Sequence, residues 1–265
     1  MVLLSKGIKK RYTTRILKAG ALLNDIRILV CSLENLKDRQ SILKILENLR
    51  YKRSISRVKD IFKYAFLPRF INGKPPQAWK IVRVLEERKV PINILRPVYY
   101  WITARNEPIL YDFVCEELVK INQTGRQFIT TEEVAIWIKN KISFYQMTWS
   151  ESVILGVARK ILSILRDFGI LQGTVKKKIA PIYLPIEAFA YIAFALTNED
   201  FSGAKLINHP DWRLFLFTPN TIEQMFLEAD RYKLLNYFAA GQIVRIEFPA
   251  NSYKGMADVI AKRTT

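Results

Sequence analysis

Five basic side chains, Arg50, Lys52, Arg53, Arg57 and Lys59, fall within ten consecutive positions before Asp60 interrupts them. An earlier set, Lys6, Lys9, Lys10, Arg11, Arg15 and Lys18, precedes them, and Lys63 follows. Solvated surfaces usually intersperse the two signs of charge; this stretch scarcely does. Clustered Lys and Arg are suited to phosphate recognition. They displace counterions from a polyanion and supply affinity and register without reading a sequence. The imbalance is regional: residues 1–100 carry 23 basic and 7 acidic side chains, and residues 101–265 carry 19 and 17, in a chain of net charge +18. That asymmetry implies a polyanionic partner met mainly by the N-terminal part. Tyr12 and Tyr51, interleaved with the basic residues, are candidates to lie against sugar or base, whereas spacing assigns Phe62 to the core.

Other chemistries lack the residues they need. His209 is the only histidine and has no second His or Cys nearby, so neither a metal site nor a general base is expected. The chain shows no HExxH helix, nucleophile elbow, closely spaced carboxylate pair or Gly-rich phosphate loop. A protein without cofactor, metal or enzymatic activity is therefore expected. Cys31 and Cys115 stand 84 positions apart; they make no disulfide framework and read as buried free thiols. The longest uncharged apolar stretch, residues 188–198, has 11 residues against the roughly 20 of a membrane span. Lys6, Lys9 and Lys10 fall where the apolar stretch of a signal peptide would lie. The expectation is a soluble, cytoplasmic protein without a membrane partner.

The elements that must position the basic residues read as mostly helical. Half of the residues are apolar and only 10 are glycine, which suits a packed helical core better than a many-stranded sandwich. Apolar spacing predicts helices over 13–32 and 41–49, a third capped by Ser54, and a fourth opened by Pro75-Pro76. Two more follow over 92–105, bending around Pro97, and from Pro108 to about residue 122. The polar run 123–127 (QTGRQ) is the clearest joint, dividing a basic N-terminal helical domain, 1–125, from a C-terminal domain, 126–265.

Beyond that joint, Thr130 and Glu133 match a capping box that opens a helix to about residue 142. The run 148–151 (TWSE) repeats the device and opens a longer helix to Phe168, stopped by Gly169. A β-hairpin follows, with Lys176, Lys177 and Lys178 near its tip. Helix, turn, longer helix and basic hairpin is the order of a winged helix-turn-helix. On the longer helix, Ser152, Gly156, Arg159, Ser163 and Arg166 form a stripe opposite the apolar side. Small residues alternating with arginines suit close approach to a groove. An ordinary exposed face is the other reading of that stripe, and lysines at a hairpin tip also serve solubility. Further on, a helix over 185–198 precedes two strands, 213–217 and 242–248, flanking a helical hairpin over 219–240. A last helix spans 253–262.

Several stretches resemble one family. Residues 19–28 (AGALLNDIRI) after a basic leader, 164–171 (ILRDFGIL) before a basic hairpin, and 209–217 (HPDWRLFLF) before 242–248 are similar, in order and length, to the BrxA family. That family is the small accessory component of bacteriophage-exclusion (BREX) defence systems. The resemblance implies a mostly helical, non-enzymatic protein linked to double-stranded DNA binding. It implies a helical N-terminal part like an antitermination factor, then a winged-helix-like part with short strands. It also implies possible partners encoded nearby: a methyltransferase, an ATPase and a phosphatase-like protein. No family site residue transfers, so the candidate DNA contacts rest on charge and helix position. Two alternatives remain open. One is an assembly scaffold docking acidic partner proteins, helped by the C-terminal aromatics Trp212, Phe215, Phe217, Phe226, Tyr232, Tyr237 and Phe238. The other is an RNA-binding protein.

Overall fold

A computed structural model of the chain describes residues 12–33, 54–241 and 243–264. Lys6, Lys9, Lys10, Arg11, Arg50, Tyr51, Lys52, Arg53 and the helix expected over 41–49 lie outside the described residues.

The first described segment is not the single helix that its spacing suggests. A 3-10 turn, Thr14–Leu17, is separated from helix α1, Leu23–Ser32, by Ala19, Gly20 and Ala21, with Leu22 at φ 52°. Tertiary contact overrides propensity there. The Arg69 guanidinium donates to the carbonyls of Ala19 at 2.7 Å and Gly20 at 2.8 Å, bonds that a continuous helix would have taken for itself. Helix α2, Ile55–Ile61, starts at Ser54, whose hydroxyl accepts the Arg57 N–H at 3.3 Å. It runs on as a π-helical stretch, Phe62–Ile71, that carries Pro68 within it. Proline supplies no N–H to a helical ladder, and the wider π register is one way a helix absorbs such a break. Helices α3, Ala78–Glu87, and α4, Ile92–Arg105, follow. Helix α5, Pro108–Asp112, passes through a second π-helical stretch, Phe113–Leu118, into α6, Val119–Gln123.

Next comes a compact unit in the order β1 (Phe128–Ile129), α7 (Thr131–Phe144), α8 (Glu151–Asp167), β2 (Leu171–Gln172), β3 (Lys177–Ile179). Its sheet is antiparallel, ordered β1-β3-β2, with Phe128 opposite Lys178 and Leu171 opposite Ile179. The capping box on α7 forms: the Thr130 hydroxyl accepts the Glu133 N–H at 3.2 Å, and the Glu133 carboxylate accepts the Thr130 N–H at 2.8 Å. On α8 the cap is Ser150, whose hydroxyl accepts the Val153 N–H at 3.4 Å. The helix begins at Glu151, so Glu151 is the first helical residue and cannot fill the third-residue role of a box with Thr148. Gly169, at φ 86°, ends α8.

The remaining chain forms α9 (Ile186–Thr197), α10 (Gly203–Ile207), α11 (Pro219–Arg231), the antiparallel hairpin β4 (Asn236–Ala240) with β5 (Ile243–Glu247), and α12 (Tyr253–Thr264). Two expectations fail here. Residues 213–217 do not form a strand; a 3-10 turn, Pro210–Phe215, takes most of them. Pro210 fixes the start of the turn, and the His209 Nδ1 accepts the Asp211 N–H at 3.2 Å. Leu214, Phe215, Leu216 and Phe217 are all buried, so no polar alternation marked one exposed face. The second helix expected within 219–240 is instead β4. The chain turns at Lys233, φ 55°, and Asp230 accepts the Tyr237 N–H at 3.1 Å.

The buried apolar side chains form one cluster running through both halves, with α3 packed on α1 and α12, and α4 packed on α9. Two buried charge networks lie in it. In the first, Glu107 receives the fully buried Arg69 at 2.8 Å and Arg15 at 3.1 Å, while the Tyr12 hydroxyl donates to Asp112 at 2.6 Å. In the second, Arg105 meets Glu199 at 2.6 Å and Asp211 at 2.9 Å, and Asp211 also accepts from Trp101 at 2.7 Å and Tyr111 at 2.9 Å. Among the described residues, no buried side-chain polar atom lacks a hydrogen-bond partner.

Glu107→Gln removes the only carboxylate shared by Arg15 and Arg69 and leaves a buried guanidinium without a countercharge. We expect a loss of about 3–5 kcal/mol, read from calorimetric melting; a change within experimental error would show the network to be dispensable. Burial holds the His209 imidazole below its ordinary range, opposed by the Asp211 carboxylate 3.7 Å away and reinforced by Arg105. Below the ordinary value of about 6.5 the unfolded state then binds more protons than the folded one. The contribution of His209 is complete above that pH and is lost as pH falls through the depressed folded value. His209→Asn keeps an acceptor for the Asp211 N–H. It should therefore flatten the acid limb of stability measured by urea titration between about pH 7.5 and 5.5.

Candidate nucleic-acid interface

The site grows from the way residues 12–20 cross from the helical N-terminal part to α8. The Tyr12 ring meets the edge of Tyr145, just past α7, at 5.4 Å. Leu17 then fills a notch on α8 that exists because residue 156 is glycine: a Cβ there would stand 3.1 Å from Leu17 Cδ2. Three residues on, Gly20 faces the same helix: a Cβ there would stand 3.9 Å from Lys160 Cδ. On the other flank of the segment, Lys18 reaches Asp60 at 3.5 Å and lies over the Tyr64 ring at 5.7 Å. Lys63 lies over the same ring at 5.2 Å, and Arg57 donates to the Lys18 carbonyl at 2.9 Å. Lys18, Arg57 and Lys63 are thus gathered on one flank, and Lys160, with Arg159 beside it, on the other. Lys59 is exposed on α2. Lys160 escaped the sequence reading because it lies off the α8 stripe; its one signal was a basic side chain four positions, about one turn, after Gly156.

The α8 stripe itself is changed by this contact. Ser152 and Arg159 face solvent, while Ser163 and Arg166 are half-buried. Gly156 admits Leu17 rather than standing open to a groove. Arg166 pairs with Asp167 at 2.8 Å and reaches the Ser163 hydroxyl at 3.5 Å. On the far side of the stripe, Leu162 lines a cleft with Phe128, Val175, Lys176 and Lys177. Helical spacing therefore sets Ser152, Arg159 and Ser163 between the N-terminal segment on one side and the β2–β3 hairpin on the other.

The hairpin lysines are not one cluster. Lys176 lies in the turn, and Lys177 and Lys178 belong to β3. Successive strand residues face opposite ways, so Lys178 shares a face with Phe128 and Gln172 while Lys177 shares one with Ile129. Lys177 Nζ also donates to the Thr174 carbonyl at 3.1 Å.

Other candidates are engaged elsewhere. Arg15 is bound to Glu107 and also donates to the Asn106 carbonyl. Tyr12 is 1% exposed, so its ring belongs to the core and not against sugar or base. Of the C-terminal aromatics, Trp212, Phe215, Phe217 and Phe226 are buried and Tyr237 half-buried, leaving Tyr232 and Phe238 exposed. Cys115 is buried and its thiol is pushed up to about 12, mainly by burial, whereas Cys31 is exposed, contrary to expectation. Among the described residues no group of three or more His, Cys, Asp or Glu could hold a metal ion, and no helix is long and apolar enough to cross a membrane.

The molecule is thus a mostly helical protein with a few short antiparallel strands towards its C-terminal end. The BrxA family model matches residues 10–195, and the chain belongs to the BrxA family of BREX systems. The match runs from before the 3-10 turn at Thr14 into α9, leaving α10, α11, the β4–β5 hairpin and α12 beyond it. No curated protein and no solved structure matches the chain.

The notch at Gly156 gives a direct test of how the N-terminal segment is seated. Gly156→Leu fills the space that Leu17 occupies. Amide hydrogen exchange should quicken over residues 14–22 by tenfold or more, on the order of the about 1.4 kcal/mol that one misfit costs, while α8 keeps its protection. Unchanged exchange at 14–22 would mean that the segment is held without the notch.

Proposed function

We propose that this BrxA-family chain is a non-enzymatic, double-stranded-DNA-binding accessory protein of a BREX system. It grips phosphates through the basic face around Lys18, Arg57, Lys59 and Lys63, and sets α8 against a groove. One observation carries the reading. The contacts of Leu17 with Gly156 and of Gly20 with Lys160 make the N-terminal basic residues and the α8 stripe neighbours, although the sequence separates them by about 100 residues or more. The strand–helix–helix–strand–strand order with its β1-β3-β2 sheet supports reading residues 126–180 as a winged helix whose second helix is the reading element. Arg159, with Lys176 and Lys178 on the hairpin, would add contacts on the flank away from Leu17. The basic residues Lys9, Lys10, Arg11, Arg50, Lys52 and Arg53 would extend the same electrostatic footprint.

An assembly role is the second reading, favoured by the outer face of the β4–β5 hairpin. Phe238 is 56% and Ile243 74% exposed there, in the part of the chain beyond the family match. Co-purification with other BREX components that survives nuclease treatment and is lost in Phe238→Ser would support it.

DNA binding is tested by fluorescence anisotropy with a random-sequence duplex at about 50 and 200 mM salt. Affinity should fall steeply with salt. Lys63→Ala with Lys160→Ala should lower the log–log salt slope by about 1.8, two phosphate contacts' worth, on every duplex. An unchanged slope in the folded double variant removes this face from the interface. Absence of binding at low salt removes duplex DNA as the partner, and better competition by duplex RNA would replace it.

A further inference from the structure

The tip of the β2–β3 hairpin is built in a way that phosphate binding does not explain. Val175 is 91% exposed, the most exposed large apolar side chain among the described residues. Surface valines are common singly, but this one stands on a turn of specific geometry. Gly173 stands at φ 93°, and a Cβ on it would lie 2.2 Å from the Lys176 carbonyl oxygen, so the turn closes only over glycine. Lys177 Nζ ties back to the Thr174 carbonyl at 3.1 Å across the same turn. Val175 is itself β-branched and stiff about χ1. Behind it, Phe128, 55% exposed, lines a cleft shared with Val175, Leu162, Lys176 and Lys177. The tip is therefore an exposed apolar point flanked by Lys176 and followed along β3 by Lys178, next to α8.

We propose that Val175 is an apolar wedge that enters the minor groove of duplex DNA and bends it, with Lys176 and Lys178 neutralising the phosphates on either rim. The proposal rests on the duplex-binding reading above and deepens it. With the α8 stripe facing a major groove, the hairpin beside it falls over the adjoining minor groove, about 6 Å wide, which admits one slim side chain but not a helix. Apolar residues placed there unstack a base step and kink the duplex towards the major groove. Lys176 and Lys178 supply the charge complementarity that an exposed valine alone would lack.

The test uses the full chain and a duplex of about 30 base pairs with donor and acceptor dyes at its two ends, with affinity followed in parallel by anisotropy. Wild-type protein should raise energy transfer on binding. Val175→Ser should keep the wild-type salt slope, since the phosphate contacts remain, yet at saturating protein leave transfer at the level of free duplex. Val175→Leu should restore the rise. Wild-type binding without a change in transfer, or a Val175→Ser complex that bends as wild type does, overturns the wedge while leaving DNA binding intact. Failure of the wild type to bind any duplex overturns the underlying reading itself.

Discussion

The carboxylate of Glu107 ties the N-terminal segment, through Arg15, to the buried Arg69. It lies between Arg69, wholly buried, and Arg15, partly so. Two cations facing one anion in a poorly solvated place are tolerable only because the remaining donors are used: Arg69 also binds the carbonyls of Ala19 and Gly20, and Arg15 that of Asn106. The Ala19 and Gly20 carbonyls belong to the stretch where the expected first helix breaks. The break lets residues 17–20 lie flat on α8, with Leu17 in the Gly156 notch and Lys160 alongside Gly20. The seating of residues 17–20 thus descends from an ion pair, Arg69 with Glu107, that is buried on both sides.

Arginine and lysine divide the work of the first 100 residues. Among the described ones, Arg15, Arg27, Arg69, Arg83 and Arg88 form ion pairs with Glu107, Glu86, Glu107, Glu87 and Asp258. Lys59, Lys63, Lys74, Lys80 and Lys89 are exposed. The planar, forked guanidinium suits fixed internal geometry, whereas the flexible ammonium suits a surface that meets phosphates in many registers. Among the described residues of this part, the exposed basic side chains are accordingly mostly lysine.

Much of the fold was legible in the chain because it rests on local chemistry. Thr130 with Glu133, Ser54, Pro91, Pro108, Pro185 and Gly169 marked helix boundaries that the structure keeps, since caps and prolines act within a turn or two. What stayed hidden was set by distant partners. The run RLFLF at 213–217 is a short apolar run rich in Phe and Leu that reads as a strand, yet every apolar member is buried, and Pro210 with His209 decides a 3-10 turn instead. Residues 236–240 became a strand because Ile243–Glu247 could pair with them. The site shows the same division. Charge located the basic region, but not that Arg15 and Arg166 face acids within the protein, that Gly156 serves Leu17, or that Lys160 joins Lys18 and Arg57. The last two depend on neighbours some 140 residues apart in the chain, Leu17 with Gly156 and Gly20 with Lys160.

That span has a temporal side. Residues 14–17 pack on α8, which begins at Glu151, so the N-terminal segment cannot take its place until well over half the chain has been synthesised. At about 5–20 residues per second the interval is roughly ten to thirty seconds, during which the most basic stretch of the nascent protein is unclamped beside ribosomal RNA. Contacts so remote in sequence also slow folding. Closure of the N-terminal segment over Gly156 therefore waits on α8, as the docking of α12 on α3 waits on residues 253–264, and a truncated chain ending before α8 would carry the charge without the contacts that seat the segment.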